Sequence, residues 1–160
     1  MKKILNPYTK TEGYNCFGCS PSNQNGLKME FFEEGEITVC KWKPMEQFNG
    51  YKNILHGGIQ ATLMDEIGSW FVSTRYAKAC VTLKLDVRYL KPVYSNKGEI
   101  TLKASLQKVK RNIIFVLVQI FDTEEELCAE ATAAFFTFSD KVSKEKYLYP
   151  GADKFYEPII

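Results

Sequence analysis

Long apolar runs are missing from this 160-residue chain. None approaches the ~18 residues that a membrane-spanning helix needs, so no membrane partner is expected. The opening MKKILNPY has two lysines but only Ile4 and Leu5 before Asn6-Pro7, which is short of the apolar region of a secretory signal and points to the cytoplasm. Charge of one sign is also lacking. Lys and Arg number 21 against 19 acids, a net charge of +2, which gives no reason to expect nucleic acid as a partner. Histidine occurs once, at His56, and cysteine five times, an odd set that argues against a closed disulfide framework. Cys16 and Cys19 form a CxxC, the spacing of a metal knuckle or a redox pair. With no second CxxC and one histidine, a zinc ion is short of its four ligands. The following Ser20-Pro21-Ser22-Asn23-Gln24-Asn25-Gly26 is loop chemistry, not the helix that a thioredoxin-like pair precedes. No metal and no cofactor are expected.

What is present suffices for a core. Apolar residues make up 45% and aromatics 14%, and no repeat, low-complexity stretch or linker interrupts them, so residues 1–160 read as one domain with an N-terminal loop segment 1–26 and a C-terminal tail 140–160. Strands are expected at 27–32 and 37–43, split by a turn at Glu33-Glu34-Gly35-Glu36. A helix follows, because Ile59, Leu63, Ile67, Trp70 and Phe71 recur at three and four. Beyond it lie β-rich runs at 80–90, 98–109, 113–122 and 127–138. In the first, Val81, Leu83, Leu85, Val87 and Tyr89 alternate with polar residues, the period of a half-buried strand. One long helix with five or six curved antiparallel strands is an α+β architecture.

The chemistry concentrates at the start of that helix. His56-Gly57-Gly58 puts two residues without side chains where backbone N–H groups are unsatisfied and the helix dipole is positive, so a carbonyl or anion can approach bare backbone. Asp65 follows nine residues after the histidine. An electrophile binder and an acid on one helix suit acyl-transfer hydrolysis. Gly58 and Asp65 lie roughly 10 Å apart along the axis, whereas a base must come within ~3 Å of its proton or reach it through one water. A second, oppositely running copy would bring its Asp65 to the first chain's glycines, which predicts a composite site in a homo-oligomer.

The stretch FNGYKNILHGGIQATLMDEIGSWF with VTLKLDVRYLKPV resembles the hotdog-fold acyl-CoA thioesterases of the phenylacetate-pathway (PaaI-like) type, and NCFGCSPSNQNGLKMEFF resembles a Cys-containing opening found in part of that superfamily. The resemblance implies a hotdog fold, dimers or tetramers, and hydrolysis of an acyl-CoA substrate without a metal. It also implies that Gly57, with Gly58 beside it, offers a backbone N–H to the thioester oxygen, that Asp65 is general base or nucleophile, and that Thr82 carries a hydroxyl that helps position water. Some relatives hold an Asn six residues before the histidine. Gly50 stands there in this chain, with Asn49 and Asn53 nearby as substrate-binding candidates.

His56 reads as a positioning residue at the helix start more than as a general base, since the glycine amides already do the polarising. Coenzyme A phosphates call for cations, and Arg88, Lys91, Lys110 and Arg111 sit at or near strand ends where a loop can hold a phosphate. Other classes fit the same fold: a non-catalytic acyl-CoA sensor, a hydratase or dehydratase, and an interaction protein with a vestigial site. The sensor is the leading alternative. A hydratase is disfavoured by the lack of a second histidine.

Overall fold

The helical stripe at 59–71 becomes the centre of the molecule. In the computed structural model, which describes residues 1–158, helix α1 (Gly57–Tyr76) has Leu63, Met64, Ile67, Phe71 and Val72 almost wholly buried. Each such side chain contributes on the order of 2 kcal/mol of transfer free energy. Gly68 lets the helix lie directly on the sheet: a Cβ there would stand 2.8 Å from the Phe135 ring.

The sheet is antiparallel and has seven strands: β1 (Lys2–Ile4), β2 (Phe31–Glu34), β3 (Ile37–Trp42), β4 (Cys80–Tyr89), β5 (Ile100–Lys110), β6 (Ile113–Phe121) and β7 (Leu127–Thr137), in the order β1-β2-β3-β5-β6-β7-β4. Ile114, Val116, Val118 and Ile120 of β6 alternate inward toward the helix, and Phe135 of β7 joins them. A long helix wrapped by a curved antiparallel sheet is the hotdog architecture that the resemblance implies.

The seventh strand is β1, inside the segment expected to be loop, where Ile4 pairs with Phe31 and is buried. The strand expected at 27–32 begins only at Phe31. Lys28 takes a left-handed φ of 52°, and the N–H groups of Leu27 and Met29 donate to the carbonyls of Phe17 and Gly18 instead of to a strand. The tail over 140–160 also carries structure as far as it is described. Ser139 caps helix α2 (Asp140–Tyr147), and a 3-10 turn at Ala152–Phe155 buries Phe155 against Trp70 and Tyr8. Residues 159 and 160 lie outside the described part. Among the described residues, no helix is long and apolar enough to cross a membrane.

Strand β4 departs from its sequence pattern in a way that bears on function. Among the described residues it is an edge strand bonded only to β7, and a register shift between Thr82 and Lys84 breaks its alternation. Leu85 and Val87 are half-buried, but Val81, Leu83 and Tyr89 remain 38%, 53% and 51% exposed. A ten-residue edge with exposed apolar side chains is a template for pairing with another chain.

Candidate active site

The chain reaches α1 through a tight crossing that fixes the glycines. The His56 N–H donates to the Phe48 carbonyl at 3.0 Å, and the His56 carbonyl accepts from Ile59 and Gln60. The imidazole folds back so that Nδ1 accepts the Gly58 N–H at 2.9 Å, making His56 the N-cap. Nδ1 therefore carries no proton in this arrangement, and the Gly58 N–H is already committed. The Gly57 N–H has no hydrogen-bond partner among the described residues. Of the two glycine donors expected from sequence, Gly57 is the one left open to a ligand.

Tyr89 completes this end of the helix, and sequence reasoning missed it. Its hydroxyl donates to the Gly57 carbonyl at 2.7 Å, which ties the end of β4 to the first helical residue. Burial raises the Tyr89 phenol above its usual pKa, so it remains a donor. The only signal in the sequence was its place at the end of the alternating run. Asn49 is bridged to Leu55 beside the helix start, and its Oδ1 is buried without a partner. Asn53 does something else: its φ of 60° turns the loop, and its carbonyl accepts from Ser95 N–H.

Two turns along α1, Asp65 meets β4. Thr82 Oγ1 donates to Asp65 Oδ1 at 2.7 Å, joining two residues that the sequence singled out separately. Helix and strand run antiparallel here. Gly57 lies at the Tyr89 end of β4, and Asp65 toward the Cys80 end.

The four cations divide between these ends. Arg88 pairs with Glu130 at 3.7 Å and Lys91 with Glu126, both near Tyr89. Lys110 ends β5, and Arg111 lies in the turn that follows it. Lys110 pairs with Ile113, Ile113 with Phe136, and Phe136 with Val81, so the turn belongs to the Cys80 end. Within one chain it is remote from Gly57.

A second group of reactive side chains lies behind Asp65. Glu66 turns under the N-terminal segment, where Trp70 Nε1 donates to its Oε1 at 3.1 Å and Cys16 Sγ approaches the same oxygen at 3.4 Å. Burial pushes the Glu66 carboxyl up to about 7, and the neighbouring Cys16 adds to the rise. Cys16 is drawn down to about 5, chiefly by the Cys19 hydrogen bond, while Cys19 itself is pushed up. Sequence spacing gave no hint that Glu66 belongs with the CxxC.

Residues 52–129, which hold α1, β4, β5 and β6, match the family model described as the thioesterase superfamily. A Haemophilus influenzae protein named as a candidate esterase is 30% identical over 113 residues, 69% of this chain and 80% of its own length. Among solved structures, thioesterase HI1161 from Haemophilus influenzae is similar with a TM-score of 0.67 and 26% identity, over 76% of this chain and 85% of that one. BH2602 from Bacillus halodurans, solved with CoA, is similar with a TM-score of 0.56 and 26% identity, over 62% of this chain and 66% of that one. By sequence and by fold alike, the chain belongs to the thioesterase superfamily.

Proposed function

We propose that this protein is a PaaI-like enzyme that hydrolyses acyl-CoA thioesters at a site completed by a second copy of the chain. A thioester demands little of its catalyst, because sulfur donates poorly into the carbonyl and a thiolate leaves readily. The open Gly57 N–H takes the carbonyl oxygen at the positive end of the α1 dipole. A donor of this kind is worth ~3–4 kcal/mol in other hydrolases. Thr82 holds one oxygen of Asp65, which leaves the other to accept a proton from water as that water adds to the carbonyl. The C–S bond then breaks, and the departing thiolate takes up a proton. Direct attack by Asp65, giving an anhydride that water opens, uses the same geometry. Label found in Asp65 after a single turnover in isotopically labelled water identifies an anhydride opened by water at the Asp65 carbonyl, whereas general-base attack puts the label in the acid product alone.

Gly57 and Asp65 are eight residues, or about 12 Å, apart on one helix, too far to share a carbonyl. A two-fold axis beside the β4 edge solves this by running a partner helix the other way, so that the partner subunit's Asp65 serves the first chain's Gly57. The same axis carries Lys110 and Arg111 from the far end toward the Gly57 end of the other subunit, where CoA phosphates need cations. Arg88 and Lys91, already paired with Glu130 and Glu126, contribute less. The CoA held by BH2602 supports this substrate class. The single observation that carries the proposal is the Asp65–Thr82 hydrogen bond on an exposed, apolar strand edge.

The test is CoA release from short, medium, long and aryl acyl-CoAs by the wild type and by Asp65→Asn, read by a method corrected for the protein's own five thiols. Turnover of one acyl class, reduced ~100-fold or more in the variant with its fold intact, is the expected result. Equal turnover in the variant refutes the role of Asp65. Tight binding with no turnover makes the chain an acyl-CoA sensor instead.

A further inference from the structure

The cluster beneath Asp65 has no part in the hydrolytic site, yet its donor atoms are arranged as a metal site is. Cys16 Sγ, Cys19 Sγ and a carboxylate oxygen of Glu66 all lie within 4.8 Å of one another, with Cys16 and Glu66 already at 3.4 Å. A tetrahedral zinc ion with Zn–S of about 2.3 Å and Zn–O of about 2.1 Å spaces its ligand atoms by roughly 3.5 Å. The cluster therefore needs only a small contraction to close on a cation.

The surroundings fix these three groups in place. Trp70 Nε1 donates to Glu66 at 3.1 Å, and the Tyr14 hydroxyl lies 2.8 Å from the Cys19 sulfur. Hydrogen bonds of this kind orient the ligands of a metal from the layer behind them. Gly18 makes the close approach possible, because a Cβ there would fall 2.5 Å from the Glu66 carboxyl carbon. Among the described residues no ion pair includes Glu66, although the carboxylate is largely enclosed. A cavity of about 440 Å³ opens onto the same atoms, bounded also by Tyr8, Tyr14 and Ser69.

We propose that Cys16, Cys19 and Glu66 bind a zinc-type divalent cation, which fastens the N-terminal segment to helix α1 and leaves a fourth coordination position facing the cavity. Two sulfurs and one carboxylate oxygen form a borderline-soft set that suits zinc, whereas an iron–sulfur cluster asks for four cysteines and magnesium for oxygen alone. Counting ligands along the sequence came up short because the third lies 50 residues beyond the first, on a helix.

Cobalt(II) reports such a site without reference to hydrolysis. The full chain is stripped with a chelator under reducing, anaerobic conditions and titrated with cobalt. Saturation near one equivalent is expected, with thiolate-to-cobalt charge-transfer absorption and strong tetrahedral d–d bands that zinc then abolishes. Cys16→Ser removes the charge-transfer band or weakens cobalt binding at least ~10-fold, and Glu66→Gln weakens binding by a similar factor. Cys128→Ala, on β7, leaves both unchanged. Absence of the band in saturating cobalt overturns the proposal, as does a Cys16→Ser variant that keeps the full band and binds cobalt as tightly as the wild type. A protein isolated with a Cys16–Cys19 disulfide that takes up no metal after reduction also overturns it, and makes the pair a redox element.

Discussion

Thr82 separates the orientation of Asp65 from its mere presence. A hydrogen bond to a charged group is worth about 1.5–3 kcal/mol, so Thr82→Val lowers kcat about 10-fold or more, while Thr82→Ser keeps the hydroxyl and most of the rate. Circular dichroism of both variants checks that the fold is retained. His56 is tested by the same logic. Its Nδ1 caps α1 through the Gly58 N–H, so His56→Ala costs about 1 kcal/mol of stability in a denaturant titration. His56→Asn, which restores a capping oxygen, recovers that stability and most of the activity; loss of activity with stability restored would make the imidazole an acid–base group. The sequence singled out the HGG run and Asp65 by residue type and spacing and Thr82 by family resemblance, and the structure joins Asp65 to Thr82 by a hydrogen bond. Which glycine N–H stays open was not legible, since that depends on the rotamer of His56.

Among the elements, α1 was the most legible and β4 the most misleading. The stripe of Ile59, Leu63, Ile67, Trp70 and Phe71 needs only the helical period. The sequence does not say how closely the sheet approaches, which Gly68 decides. Gly68→Ala drives a Cβ into the buried Phe135 ring, and overpacking exceeds the gain in helix propensity. A net loss of about 1 kcal/mol is expected, seen as a Tm lower by about 3 °C in calorimetry. Alternation in β4 promised one buried face, but the register shift after Thr82 and its position at the sheet edge leave Val81, Leu83 and Tyr89 exposed. Leu83→Lys puts a charge on that edge. Light scattering should then report monomers, and hydrolysis should fall with the loss of dimers even though Asp65 and Gly57 are untouched.

For the whole molecule, the terminal segments, as far as residue 158, are part of the body. The Leu5 N–H donates to the Phe155 carbonyl at 2.8 Å, and the Tyr149 hydroxyl to the Ser73 carbonyl at 2.7 Å, so the N-terminal segment and residues 149–155 close over the same side of α1. Burial pushes Tyr8 up to about 12, and burial together with the Glu33 hydrogen bond does the same to Tyr156. A folded pKa above the unfolded 10 means that this stability is complete below pH 10 and is lost as pH rises from about 10 to about 12. Tyrosinate absorbance should therefore rise together with unfolding in that window. Midpoints near 10 in a protein that is still folded would contradict the packing of both termini.

The sequence by itself determined the α+β composition, the helix and its inward stripe, and the residue types offered at the helix start, two glycines without side chains and a carboxylate two turns on. These follow from local periodicity and from the chemistry of single side chains, which need no distant partner. Tertiary structure alone decided that residues 27–30 pair with the cysteine loop instead of forming a strand, that Tyr89 reaches Gly57, that Lys110 and Arg111 stand at the opposite end from the glycines, and that Glu66 meets Cys16 and Cys19. Each of these is a spatial relation between residues apart in the chain, and it depends on a distance that no spacing in the sequence encodes.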